Sequence, residues 1–222
     1  MNLPARIQGV FFEPRATLQS VAQKPVWLDA LVVTLIALTL HTILIMPYAS
    51  REALAHFQSE GQAAPDLSQM PKWLLVIPVV LGLISLTALV LVASGVLFLV
   101  GRLFSPRGDF HKILSVYLHA RLVDSLLGTA VRLGVVFMKK TALVATGPAM
   151  FFPGLAPRSF LYLALGPFDF FHLWTFGILS YGLAAVLGLE MKKALLVSFL
   201  SWLLLAAVSV GLGGLGLALA RR

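Results

Sequence analysis

Long apolar runs separated by short polar breaks dominate the chain. Apolar residues continue almost unbroken over 26–46, 73–100, 168–189 and 194–220. Each run is close to the ~20 residues that an α-helix needs to cross ~30 Å of hydrocarbon. Trp27 opens the first run at interface depth, and Pro47 is expected to close it. The stretch 48–72 carries Arg51, Glu52, Glu60 and Asp66 and reads as a polar loop that needs water. In the next run Pro78 is expected to kink the helix. A further run, 110–138, is less pure, because His111, Lys112, Ser115, His119, Arg121, Asp124 and Arg132 interrupt it. On a wheel of ~100° per residue, Arg121, Asp124, Ser125, Gly128 and Arg132 share one side. His111, Lys112, Ser115 and His119 share another. Between 141 and 167 the pairs Gly147-Pro148, Pro153-Gly154 and Gly166-Pro167 punctuate an apolar segment too often for a full span. This segment reads as a membrane-surface or shallow re-entrant loop.

The pattern predicts an all-α, polytopic membrane helix bundle of about five transmembrane helices. Ahead of it, Glu13-Pro14-Arg15 marks a helix start, Leu18, Val21 and Ala22 recur at helical spacing, and Pro25 ends the run. The expected organisation is therefore an interfacial N-terminal segment over 1–25 and a five-helix transmembrane domain over 26–222. No secretory signal is expected, since the first twenty residues contain no apolar core region. Basic residues divide almost evenly between the two sides of the bundle. Arg6, Arg15 and Lys24 ahead of the first span favour a cytoplasmic N-terminus.

Composition narrows the class. Of the 222 residues 59% are apolar and only 12% charged, against about 25% charged in a soluble domain. Such a chain lacks the polar surface of a water-soluble fold. The absence of cysteine removes disulfides, iron–sulfur ligation and thiol chemistry. Seventeen Lys and Arg against nine Asp and Glu give a net charge of +8. The basic residues stand singly or in pairs at the ends of apolar runs, as they do where helix ends meet anionic headgroups. No basic stripe with interleaved aromatics exists, so the expected partner is the lipid bilayer and not nucleic acid.

Candidate chemistry is sparse. Arg121 and Asp124 lie one helical turn apart near the centre of an apolar run, where each costs roughly 2.5–3.5 kcal/mol to insert. They form a candidate intramembrane polar site, with Arg132 as a third member. Two readings stand: a polar site inside the bundle, serving as an ion or proton path or a lipid-headgroup pocket, and a buried intrahelical ion pair with a purely structural role. The single intramembrane acid favours the second. The histidines are scattered without metal-ligand spacing, and Asp169, three residues before His172, is a natural helix N-cap. No Walker loop, Gly-x-Ser-x-Gly or paired acidic motif is present, so no catalytic, cofactor or metal residue is assigned. Ser180, Ala184 and Gly188 repeat every fourth residue, and Ala207 precedes Gly211 by four. Such small-residue faces let helices approach closely, within one bundle, in a homo-oligomer or against other membrane proteins.

Three stretches carry a family resemblance. The first is Phe11-Phe12-Glu13-Pro14-Arg15-Ala16-Thr17-Leu18, followed by Lys24-Pro25-Val26-Trp27. The second is Gly108-Asp109-Phe110-His111-Lys112-Ile113-Leu114. The third is Phe168-Asp169-Phe170-Phe171-His172-Leu173-Trp174, with Gly182-Leu183-Ala184 and Lys192-Lys193-Ala194 after it. Together they resemble the Yip family of Ypt/Rab-interacting membrane proteins, particularly its bacterial branch. The resemblance implies five spanning helices, a cytosolic N-terminus, a bacterial inner-membrane location and no enzyme activity. Eukaryotic members are linked to Rab GTPases and vesicle traffic. This chain lacks their long polar N-terminal region, which counts against GTPase binding. Arg121 falls where the family pattern suggests an aromatic or small residue, so no role for it is inherited. The function expected is non-enzymatic, through partner binding or membrane organisation. The alternative is a small transporter or channel subunit built on Arg121 and Asp124.

Overall fold

The structure, a computed structural model, describes residues 1–59, 71, 74, 76–152, 154–156 and 159–219, and among these it is helical with no strand. Two short helices open it, α1 (Leu3–Phe12) and α2 (Pro14–Gln23). Each begins as its sequence dictates. Asn2 accepts a hydrogen bond from the Ala5 N–H, with Pro4 in the first turn of α1, and Pro14 starts α2 after the break at Glu13. The expected N-terminal helix is thus one of a pair. Its apolar side, Leu18, Val21 and Ala22, is sealed against the bundle.

Helix α3 spans Leu28–Ser59 and α4 spans Ile77–Phe104. Pro47 does not close the first span: α3 runs through it for a further twelve residues. A proline removes one backbone donor, a loss that membrane helices tolerate. Beyond Pro47 the helix is anchored at Glu52, whose Oε1 accepts hydrogen bonds from the Thr141 hydroxyl and the Ala142 N–H. The first part of the expected polar loop is therefore helix, and residues 60–70 lie outside the described residues. Trp73, the expected start of the second span, is also outside them. Pro78 stands in the first turn of α4, where it initiates the helix and bends nothing.

The expected span over 110–138, third in the chain, is α5 (Phe110–Leu122), a wide π turn (Val123–Gly128) and α6 (Thr129–Lys139). It is the central element. Nine of the 13 residues of α5 are buried, because α2, α3, α4 and α8 surround it. Neighbouring helices cover most of its polar groups, which is how a charged segment survives in an otherwise apolar chain. A connection with one 3₁₀ turn (Pro148–Phe151) leads to α7 (Phe160–Leu165), a second 3₁₀ turn (Gly166–Phe168), α8 (Phe170–Leu187) and α9 (Met191–Leu219). The surface or re-entrant loop expected over 141–167 holds for the described residues up to Ser159, where no full span forms; from Phe160 onward it is replaced by helix.

Among the described residues four stretches are long and apolar enough to cross a membrane: Leu28–Ser59, Ile77–Phe104, Phe160–Leu187 and Met191–Leu219. The third of these starts before the expected residue 168, because α7 continues into α8 through the 3₁₀ turn. Large apolar side chains such as Ile36, Leu40, Leu81, Leu89, Leu204 and Leu212 point outward from α3, α4 and α9. In water such a surface would drive aggregation; in a bilayer it is the solvated face.

Candidate functional site

The polar side of the central helix gathers where the backbone widens. Arg121 stands in the last turn of α5, Asp124 and Ser125 sit in the π turn, and Arg132 lies one turn into α6. In a regular helix Asp124 and Arg132 would stand about 12 Å apart along the axis, at ~1.5 Å per residue. The π turn shortens this separation, and helical side chains lean toward the N-terminus, so Arg132 reaches back. Its Nη2 lies 2.6 Å from Asp124 Oδ1 and 3.4 Å from the Asp124 carbonyl oxygen. That carbonyl also accepts from the Thr129 N–H, the longer-range bond that a π turn makes.

The second arm of the same guanidinium points to another helix. Arg132 Nη1 lies 3.5 Å from Asp169 Oδ2 and 3.5 Å from the Thr146 hydroxyl oxygen. Its plane also stands over the Phe171 ring, 5.8 Å from the centroid. Asp169 caps α8 as its position predicts, with Oδ1 accepting from the N–H groups of Phe171 and His172, while Oδ2 accepts from the Thr146 hydroxyl. His172 Nε2 completes the cluster 3.5 Å from Asp124 Oδ2. Arg132 thus joins α6, the π turn, the 141–159 connection and the start of α8 in one network. A forked, permanently charged guanidinium suits this bridging role.

Gly128 makes the approach possible. A Cβ there would lie 2.8 Å from Asp124 Oδ1, 2.9 Å from Phe171 Cγ and 3.0 Å from Arg132 Nη2. Only a residue without a side chain lets the carboxylate, the guanidinium and the ring meet.

The expected pairing of Arg121 with Asp124 is replaced. Asp124 is taken by Arg132 and His172, and Arg121 turns back one turn to donate to the Tyr117 hydroxyl at 3.3 Å. Its Nε is buried without a hydrogen-bond partner. Arg121, Asp124 and Arg132 nevertheless line one cavity of about 180 Å³, together with Thr34, Leu38 and His41 of α3, Leu86 of α4, Ser125 and Thr129. A second cavity of about 120 Å³ lies beyond Arg132, between Thr146, Gly147, Tyr162, Gly166 and Asp169.

A separate polar cluster docks the N-terminal helices. Arg6 of α1, only 8% exposed, is ion-paired with Asp29 at the start of α3. His119 of α5 is fully buried, its Nδ1 2.8 Å from the Ser115 carbonyl and its Nε2 4.0 Å from Asp29. The Val26 N–H donates to the Ser115 hydroxyl at 3.0 Å. His119 and Ser115, the other polar side of the wheel, thus serve this junction.

The small-residue positions divide. Ser180 is fully buried and donates to the Gly177 carbonyl, and Ala184 packs partly buried against the core. Gly188 ends α8 with φ +64°, a left-handed conformation that favours glycine. Gly211 and Ala207 lie on the open side of α9 with nothing packed on them. Sequence reasoning missed Asp169, His172, Thr146 and the Arg6–Asp29 pair as partners. One signal pointed there: the central helix holds two deep arginines and one acid, so a second carboxylate had to come from another segment.

Among the described residues no group of His, Cys, Asp or Glu has the arrangement to hold a metal ion. No curated protein and no solved structure matches the chain. The family model of the Yip1 domain matches residues 9–212, a range that holds α2 to α8, the Arg132 network and most of α9. With several apolar helices and that match over most of its length, the chain belongs to the Yip1-domain family of multi-pass membrane proteins.

Proposed function

We propose that this protein is a non-enzymatic membrane protein, resident in a bacterial inner membrane, that acts by binding membrane partners or organising the bilayer. One observation carries the reading. Asp124 and Arg132 of the central helix are tied to each other and, through Arg132, to Asp169 at the start of α8, so they fix the helices relative to one another. The open apolar faces of α3, α4 and α9 then remain as the surfaces offered to lipid or to another protein. On α9, Ala207 and Gly211 present a small-residue face suited to close helix approach.

The chain contains no cysteine, so a single Gly211→Cys substitution gives an unambiguous reporter. Cross-linking in native membranes is expected to yield one discrete product of higher mass. Monomer alone from Gly211→Cys, and from cysteines placed along the outward faces of α3 and α4, overturns the partner-binding mode.

A small transporter or channel subunit is the second reading, favoured by the cavity that Arg121 and Asp124 line. Reconstituted Asp124→Asn and Arg121→Leu variants discriminate the two. Unchanged folding with lost solute flux favours transport, whereas simple loss of assembly favours the first reading.

A further inference from the structure

Two neighbouring hollows on the α3 side of the central helix differ sharply in character. The first is the polar cavity of about 180 Å³ at Arg121. The second, about 320 Å³, is an apolar groove between α3 and α6, walled by Val33, Ile36, Leu40, Ala130 and Leu133. The two meet at Ser125 and Thr129, which line both. Ile36 and Leu40 are each 54% exposed, so the groove opens sideways from the bundle to the surroundings of α3.

The charges that line the polar hollow are unevenly placed: Arg121 and Arg132 face the single carboxylate of Asp124, and Asp169 lies beyond Arg132. Asp124 holds Arg132 on one carboxylate oxygen and faces His172 with the other. Arg121 is left with a neutral phenol as its hydrogen-bond partner and with a buried, unpartnered Nε. A guanidinium inside an apolar bundle without a paired anion is costly, and an anion placed beside it removes most of that cost. The cavity has room for roughly six waters at ~30 Å³ each, the size of a small phosphate ester rather than of a bulky zwitterionic headgroup. An anion free in water would fill only this half of the site and leave the apolar groove empty.

We propose that the seam between α3 and α6 binds one anionic phospholipid with a small headgroup, its phosphate against Arg121 and an acyl chain along the groove of Ile36, Leu40, Ala130 and Leu133. The proposal deepens the bilayer-organising reading and rests on it in one respect, that the cavity holds a ligand and does not conduct one. Thr34 and His41 of the cavity wall lie about 9 and 20 Å from the start of α3, at ~1.5 Å per residue. The headgroup is therefore drawn inward from the interface. Arg121 offsets the cost of that displacement by charge-assisted hydrogen bonds.

Native mass spectrometry of the full chain, released from detergent in the presence of phosphatidic acid, phosphatidylcholine or inorganic phosphate, tests this. The wild type is expected to retain one phosphatidic acid, in preference to phosphatidylcholine. Arg121→Leu should weaken retention by about tenfold or more, the loss that a charge-assisted contact carries, while Arg121→Lys keeps part of it. Ala130→Trp fills the groove from an exposed position on α6, so it should lower lipid retention even if Arg121→Leu fails to fold. Equal retention of both lipids, or wild-type retention by Arg121→Leu or Ala130→Trp, overturns the proposal. Displacement of the lipid by an equal concentration of inorganic phosphate overturns it in favour of a free-anion site. Solute flux that depends on Asp124 would overturn the functional reading instead, with lipid retention still decided by Arg121 and Ala130.

Discussion

Replacing Arg132 by Met removes the one cation that two buried carboxylates share. Asp124 and Asp169 are 8% and 11% exposed in their side chains, and Arg132 is 21% exposed. Two magnitudes compete. Hydrogen bonds between membrane helices average only ~0.6 kcal/mol, because the separated helices find other partners. A buried charge stripped of its partner costs about 3–5 kcal/mol. Asp169 keeps the Thr146 hydroxyl and two backbone N–H groups after the substitution, and Asp124 keeps His172, so the lower end of that range applies. We expect Arg132→Met to destabilise the bundle by about 3 kcal/mol, or about 6–12 °C in Tm at ~2–4 °C per kcal/mol. Asp124→Asn should cost less, about 1–1.5 kcal/mol, since Arg132 retains Asp169 and the backbone carbonyl of residue 124. The double variant should fall short of the sum by about 1–2 kcal/mol, as expected for groups in one network. Denaturant titration in mild detergent, followed by Trp fluorescence, gives all three values. Additive costs, or an Arg132→Met protein within ~0.5 kcal/mol of wild type, would refute the view that this network holds the central helix to α8.

Three further outcomes follow from geometry. Gly128→Ala places a methyl against the Asp124 carboxylate and the Phe171 ring, so a loss of about 1–3 kcal/mol is expected in the same titration; no loss means the π turn can open freely. Asp29→Asn frees Arg6 and loosens α1 and α2, so limited trypsinolysis at Arg15 should speed up while cleavage at Lys192 stays at its wild-type rate. Parallel acceleration at both sites would show a global rather than a local effect. Gly188→Ala forces a side chain into a left-handed backbone and toward the Arg107 guanidinium 2.8 Å away, and a loss of about 1 kcal/mol or more is expected in the same titration. A Gly188→Ala protein as stable as wild type would argue against a required left-handed cap.

The polar side of the central helix was legible from a 100° wheel. Four of its five residues, Arg121, Asp124, Ser125 and Arg132, line one cavity, and the fifth, Gly128, sits where Asp124 and Arg132 meet. The pairing within that side was not legible. Spacing brings Arg121 nearest to Asp124, but a π turn, set by tertiary packing and by no local motif, shortens the path from Arg132. Asp169 could be recognised as an N-cap from its place before an apolar run, yet its second oxygen works across helices, which only the fold reveals. Pro47 misled for another reason: its weight as a helix breaker comes from water, where the lost hydrogen bond is easily replaced by unfolding. Inside a bilayer unfolding strands many more backbone groups, so the helix continues.

The fastening of α8 at both ends has a mechanical consequence. Its N-terminal start is held through Asp169 by Arg132 and Thr146, and its C-terminal end through the Ser105 hydroxyl, which donates to the Leu187 carbonyl at 2.6 Å. The central helix, α8 and the C-terminal end of α4 therefore behave as a truss, while α3 and α9 flank it with one side given to lipid. A change of bilayer thickness or curvature therefore acts on the truss through these two flanking helices. Strain from the membrane is thus routed to the α3 seam and the α9 face, the two places where a ligand or neighbour would register it.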